Sequence, residues 1–273
     1  MVQAQYARVR MDTVVACQPG SGQNTGQSPL FFPANVLRGP APEANDTVPS
    51  LDSREICSIG LGGTIVLGLK DHVIVDGPGV DIVVFENAFI GPLKKVFAEP
   101  AQVSVSKDGL SWMSFPFDSL TLEGCAGRTP TFGGDPFAWP SSGGDGFDLA
   151  TVGVDSVRYV RLHDVTGIIK NNSHHPYFDP SLTGFDLDVI TIPHATLVAT
   201  NTDLGVEPRT TNVLASVVSG KGIVRVYNVY GTLLHEEEVG AGVTVIPLGR
   251  LGNSCLLVTM VSNENVVMVK VLQ

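Results

Sequence analysis

Short runs of alternating or β-branched apolar residues, broken by glycine-rich turns, recur along the whole chain. The clearest cover 65–69, 81–85, 102–106, 156–162, 186–192, 223–229, 243–248, 256–262 and 266–272. Between them lie turn signals such as Asp76-Gly77-Pro78-Gly79, Lys107-Asp108-Gly109, Gly133-Gly134-Asp135 and Ser142-Gly143-Gly144-Asp145. A period of two places successive side chains on opposite faces of a strand, and no stretch keeps helical periodicity over three turns. Many short strands at this spacing predict an all-β chain, a jelly-roll sandwich followed by a smaller Ig-like sandwich.

The apolar rhythm lapses near 196–212, where Thr200-Asn201-Thr202-Asp203 and Glu207-Pro208-Arg209-Thr210-Thr211-Asn212 are polar. This reads as a linker. The expected organisation is therefore a domain over 1–195, a linker over 196–212 and a second domain over 213–273.

Composition narrows the function. The 273 residues carry 30 Gly and 18 Pro, as strand-and-turn chains do, and a formal charge of −10. That balance argues against nucleic acid, because phosphate binding needs clustered Lys and Arg and the densest basic spot is Lys94-Lys95. No apolar run approaches the length of a membrane-spanning helix. Cys17, Cys57, Cys125 and Cys255 match no zinc spacing. Two readings stay open for Cys17 and Cys57. A disulfide closing a loop of about 40 residues would contribute roughly 3–4 kcal/mol in the chain-entropy model; alternatively, both are buried thiols. Met1-Val2-Gln3-Ala4-Gln5 has no positive stretch followed by an apolar core, so a signal peptide is absent from the chain as given and is expected to have been removed.

The C-terminal stretch runs Val224-Arg225-Val226-Tyr227-Asn228-Val229-Tyr230-Gly231, then a returning strand ending near Glu236-Glu237-Glu238, and closes on Val269-Lys270-Val271-Leu272-Gln273. This order resembles the C-terminal sorting domain of type IX secretion substrates, with Tyr227, Gly231, Gly252 and Lys270 at the matching positions. It departs from the family at Cys255, where tyrosine is usual. The resemblance covers about a fifth of the chain. It implies export to the cell surface or outer membrane, recognition by the type IX translocon, and attachment to surface lipopolysaccharide.

The larger domain resembles an uncharacterised bacterial cell-surface family. The resemblance is carried by Ser58-Ile59-Gly60-Leu61-Gly62-Gly63-Thr64, Asp81-Ile82-Val83-Val84-Phe85-Glu86-Asn87, Gly143-Gly144-Asp145-Gly146-Phe147-Asp148-Leu149 and Gly184-Phe185-Asp186-Leu187-Asp188-Val189. Phe115-Pro116-Phe117 lacks the cysteine that the family often places there, which would leave Cys125 without its partner. The segments from Val105 to Trp112 and from Arg158 to Leu162 also look like galactose-binding, discoidin-like jelly rolls. Those bind sugars or lipids in loops at one end and often hold Ca²⁺.

Alternation puts Asp186 and Asp188 on one face of a strand, with Phe185, Leu187 and Val189 on the other. Buried carboxylates need a partner, and hard oxygen ligands suit Ca²⁺. The expected metal set is therefore drawn from Glu86, Asn87, Asp145, Asp148, Asp164, Asp186 and Asp188. The competing reading pairs these acids with Arg158, Arg161 or backbone amides, or makes them turn caps. Trp112, Trp139, Tyr177 and Phe178 are candidates for a sugar-stacking platform, against core anchors. His174-His175 could bind a transition metal or simply precede Pro176 in a polar loop. Gly60-Leu61-Gly62-Gly63 reads as a turn rather than a phosphate loop, since no Gly-Lys-Ser/Thr follows.

With no Gly-x-Ser-x-Gly, His-Glu-x-x-His or Cys/His dyad in view, the expected function is a non-enzymatic surface binding or adhesion protein that contacts glycans. Two alternatives are an envelope signalling component acting through an outer-membrane partner, and a hydrolase with a spatially assembled carboxylate pair.

Overall fold

The computed structural model describes residues 6–91, 94–197, 212–228, 233–247, 256–262 and 266–271; beyond 197, side chains are described only at 222–226 and 233–239. Contacts divide the chain into two compact units, Met1–Leu197 and Val198–Gln273. In the first unit the strands are β1 (Ala7–Arg10), β2 (Thr13–Gln18), β3 (Cys57–Ser58), β4 (Thr64–Gly68), β5 (His72–Val75), β6 (Ile82–Glu86) and β7 (Phe89–Ile90). After these come β8 (Val96–Phe97), β9 (Ala101–Ser106), β10 (Met113–Ser114), β11 (Asp145–Phe147), β12 (Ser156–Val157), β13 (Tyr159–Asp164) and β14 (Asp186–Leu197).

Two antiparallel sheets form the expected β-sandwich. One has the order β11-β6-β14-β5-β12, with β1 and β3 also on β14; the other runs β10-β9-β13-β4-β2. Alternation explains the core between them. Ile65 and Leu67 of β4, Val103 and Val105 of β9, and Val160 and Leu162 of β13 point inward from the second sheet. Ile74, Ile82, Val84, Leu187, Ile190 and Ile192 meet them from the first. Each such side chain contributes roughly 1.5–3 kcal/mol by leaving water.

Strand β6 is buried along its whole length. Its inner face joins the sandwich core, while Val83 and Phe85 pack with Val189 on the outer face. A strand covered on both sides reads as a continuous apolar run, as Ile82-Val83-Val84-Phe85 does. The Gly60-Leu61-Gly62-Gly63 segment is a turn, closed by the Gly63 amide donating to the Gly60 carbonyl at 3.0 Å. A Cβ on Gly63 would lie 1.9 Å from the Ile59 carbonyl oxygen, so glycine is required there.

Two sequence expectations change in this unit. Strand β14 continues to Leu197, with Thr196 opposite Val73 and Leu197 opposite His72, so 196–197 are strand rather than linker. The register also slips between Leu187, opposite Glu86, and Val189, opposite Phe85, which leaves Asp188 as an extra, bulged residue. A bulge breaks the period-two alternation. Leu187 therefore faces the sandwich core while Val189 packs outside, and Asp186 and Asp188 reach different surroundings.

The second unit is, in its described residues, a four-stranded antiparallel sheet of order β16-β15-β17-β18. Its strands are β15 (Asn212–Asn228), β16 (Leu233–Pro247), β17 (Leu256–Ser262) and β18 (Val266–Val271). Strands β15 and β16 form the expected hairpin, with Tyr227 opposite Leu233 and also opposite Leu257; Lys270 of β18 pairs with Leu257. Gly231, Gly252, Cys255 and residues 198–211 of the expected linker lie outside the described residues.

Candidate functional site

The hairpin β7–β8 and the loop from Asn172 to Leu182 enclose a groove of about 270 Å³. The Phe89 and Phe97 rings stack across the hairpin, with centroids 5.1 Å apart and planes at 24°. Tyr177 and Phe178 line the groove from the loop side, and Lys95, Asp179 and Ser181 supply its polar rim. The Ser181 hydroxyl and amide both donate to Asp179 Oδ1. These bonds, followed by the charges of Lys95 and Lys170, hold the Asp179 carboxyl below its usual range. Lys170 in turn donates to the carbonyls of Pro180 and Leu182, pinning the loop. Apolar ring faces beside a few oriented charges and hydroxyls are the ordinary furniture of a small-ligand site.

His175 is buried behind this loop. Its Nε2 lies 2.8 Å from the Ser119 carbonyl and its Nδ1 3.2 Å from the Tyr177 amide. These contacts select the neutral tautomer that donates from Nε2 and accepts at Nδ1. Both ring nitrogens of His175 are thus engaged, and this residue anchors the loop. The other two aromatic candidates stand elsewhere. Trp112 carries the Arg161 guanidinium 4.5 Å above its ring. Trp139 donates from Nε1 to the Gly144 carbonyl at 3.3 Å and lines a different cavity, with Arg128 and Asp145. Phe89 and Phe97 replace them in the groove. Sequence inspection passed them over because two isolated phenylalanines eight positions apart carry no pattern until a hairpin brings them face to face.

The acidic candidates separate into distinct roles. Asp164 accepts from the Gly62 amide (2.8 Å), the Phe185 amide (2.8 Å), the Thr166 hydroxyl (2.7 Å) and the Thr166 amide (3.3 Å), so it ties three segments together. Asp145 accepts from the Arg128 and Thr129 amides and the Thr129 hydroxyl. Asp148 caps a 3₁₀ turn through the Ala150 amide. Asn87 exchanges two 2.7 Å hydrogen bonds with the backbone of Ser50. Asp188 accepts from the Ala41 amide at 2.8 Å, while its other oxygen is buried without a partner. Burial, with a smaller push from Glu55, raises its carboxyl to about 8. Asp145, Asp148 and Asp164 make the amide and cap bonds of the competing sequence reading. The arginine pairing is not made: Arg158 bonds the carbonyls of Leu69 and Lys70, and Arg161 covers Trp112.

Glu86 and Asp186 do come together, joined by Glu99, which the sequence reading did not single out. The three are 2%, 5% and 4% exposed. Asp186 donates its amide to Glu86 Oε1 at 3.3 Å and receives the hydroxyl of Ser58. Glu99 Oε1 accepts from the Thr183 amide and, at 2.7 Å, the Gly184 amide. Glu86 Oε2 is buried with no partner. Burial first, then the like charges of Asp186 and Glu99, holds the Glu86 carboxyl well above its usual value. Burial and Asp186 push Glu99 to about 7, and burial pushes Asp186 to about 6.

A second acidic group lies apart. Asp76, Asp81 and Asp148 are the group among the described residues whose ligating oxygens fall within 4.8 Å of one another. Asp81 is already committed, accepting from the Gly77 amide, the Leu149 amide and His194 Nδ1 (2.7 Å). Cys17, Cys57 and Cys125 are free thiols, and Cys17 and Cys57 line one small cavity.

No protein-family model and no curated protein matches the chain. Among solved structures, β-glucuronidase from Ruminococcus gnavus in complex with N1-substituted uronic isofagomine aligns over 98% of this chain and 46% of its own, at 12% identity and a TM-score of 0.22. The complex of the same enzyme with D-glucaro-d-lactam gives 12% identity, 98% and 46% coverage and a TM-score of 0.23. Its apo structure gives 15% identity, 98% and 45% coverage and 0.20. The chain spans less than half the length of these structures, and a likeness at this level carries no argument about binding or catalysis.

Proposed function

We propose that this chain is a non-enzymatic surface protein, exported by type IX secretion, whose sandwich binds a glycan in the groove between β7–β8 and the Asn172–Leu182 loop. The observation that carries the binding reading is the grouping of Phe89, Phe97, Tyr177 and Phe178 beside Lys95, Asp179 and Ser181. A pyranose ring presents apolar C–H faces to aromatic rings and hydroxyls to polar rims, which is the chemistry this groove offers. The non-enzymatic reading is supported by the burial of Glu86, Glu99 and Asp186, which keeps these three carboxylates away from a substrate. The export reading is supported by the Val224–Gly231 motif and the hairpin that β15 and β16 make around it.

Two experiments test these parts separately. Glycan-array screening followed by calorimetry on the full chain should find a saccharide whose affinity falls at least tenfold in Tyr177→Ala and Phe178→Ala; the absence of any glycan ligand would remove the binding reading. Cells expressing the protein without residues 213–273 should retain it in the periplasm; surface display of the truncated protein would show that the second unit is not a sorting signal.

A further inference from the structure

The outward face of the second sheet carries an arginine that no acid neutralises. Arg161 lies in the middle of β13, opposite Ser104 of β9 on one side and Val66 of β4 on the other. Val160 and Leu162 enter the core, so alternation turns Arg161 outward, together with Tyr159 and His163. The same register brings Gln102 and Ser104 of β9, Thr64 of β4 and Ser114 of β10 to that face. The outward positions of β4, β9, β10 and β13, all of them described, include no Asp or Glu, in a chain with a formal charge of −10. Trp112, just before β10, sets its ring 4.5 Å below the Arg161 guanidinium. Nη2 of that group reaches the Ser104 hydroxyl at 3.5 Å, and among the described residues Arg161 makes no ion pair. A cation held over an aromatic ring is attracted through the ring face, which uses none of its N–H donors. Beside it, Tyr159 lies across Gly68, where a Cβ would stand 3.1 Å from its ring carbons, so no side chain rises from that position to obstruct the face.

We propose that this face is a second binding site, separate from the groove, and that its ligand is an acidic saccharide bearing uronate or sulfate groups. Arg161 bonds the anionic group: the planar guanidinium fork matches the paired oxygens of a carboxylate or sulfate. Trp112 holds the side chain in place beforehand, so less rotamer freedom is lost when the anion arrives. No like charge on the face opposes that approach. The sugar hydroxyls fall to Ser114, Gln102 and the hydrogen-bonded pair Thr64–His163, whose Oγ1 and Nδ1 lie 2.9 Å apart. Hydroxyl, amide and imidazole groups supply both donors and acceptors, as sugar hydroxyls require. An acidic peptide would answer Arg161 as well, but extended peptides are held by free backbone groups at a sheet edge. Here β13 is flanked by β9 and β4, and its backbone is engaged in the ladder on both sides. Neither Arg161 nor Trp112 lines the groove, so the proposal stands whether or not the groove binds a glycan.

Trp112 reports on the site directly, because Trp139 is the other tryptophan of the chain. In the full chain carrying Trp139→Phe, Trp112 emission is followed while oligogalacturonate, oligomannuronate or a sulfated oligoglucoside is added, each beside its methyl-esterified or unsulfated counterpart. Calorimetry on the wild-type chain repeats the titrations. At least one acidic probe should saturate the signal by millimolar concentration, and its neutral counterpart should bind at least tenfold more weakly. Affinity should also fall at least tenfold in Arg161→Gln. Arg161→Lys, which keeps the charge but not the fork, should lose nearly as much and serves if the first variant does not fold. The proposal is overturned if no acidic probe binds at millimolar concentration, if a neutral counterpart binds equally well, or if both Arg161 variants bind like wild type. Loss of the signal in Tyr177→Ala rather than in the Arg161 variants would move the ligand to the groove and overturn it too. An oligoglutamate peptide that binds more tightly than every saccharide would overturn it by assigning the face to acidic peptides.

Discussion

Asp164→Asn removes one carboxylate oxygen from a knot that spans the chain. In the native protein both oxygens accept, toward the Gly62 amide, the Phe185 amide and the hydroxyl and amide of Thr166. An asparagine keeps one acceptor and turns the other oxygen into an NH₂ donor. The Thr166 hydroxyl can rotate to accept from it, but the Phe185 amide would face a second N–H. A buried donor left unsatisfied costs about 1–3 kcal/mol, with a further loss of about 1 kcal/mol for each hydrogen bond not remade. The total is therefore about 2–4 kcal/mol, a large share of a typical domain's stability of roughly 5–15 kcal/mol. For a unit of this size each kcal/mol shifts the melting point by about 2–4 °C, so a drop of about 5–15 °C is expected. Urea and thermal denaturation of the sandwich, with amide exchange read at Phe185, provide the measurement. A loss below about 1 kcal/mol with Phe185 still protected would refute the hydrogen-bond account.

Two other outcomes follow from particular sites. Burial pushes the Cys57 and Cys125 thiols up to about 12, so at pH 8 roughly one in ten thousand is a thiolate; iodoacetamide should leave both unlabelled in the native protein and label them at once in urea, as mass spectrometry would reveal. Gly63→Ala should destabilise the sandwich by more than about 3 kcal/mol, because its Cβ meets backbone rather than a yielding side chain; a melting curve like wild type would mean the 59–63 turn rearranges freely.

The strand content was legible because its signal is local. A side chain at every second position of β4, β9 or β13 faces the same way whatever the rest of the chain does, so Ile65 with Leu67 and Val160 with Leu162 announce a core face on their own. Strands of two to four residues, such as β1, β3 and β7, were missed because they are too short to show a period and exist only through their partners. The bulge at Asp188 was invisible for a related reason: the extra residue is defined by the register of β6 opposite it.

Chemistry at the acids was decided almost entirely by the tertiary structure. Sequence alone established an acidic, all-β chain with carboxylates at the edges of buried strands, because composition and alternation are properties of neighbouring residues. Whether each carboxylate holds a turn, caps a helix or stands orphaned depends on donors far away along the chain: Gly62 for Asp164, Ala41 for Asp188, Thr183 for Glu99. Hydrogen bonds and desolvation act over a few ångströms in space, and it is the packing of the two sheets that brings such distant segments within that range.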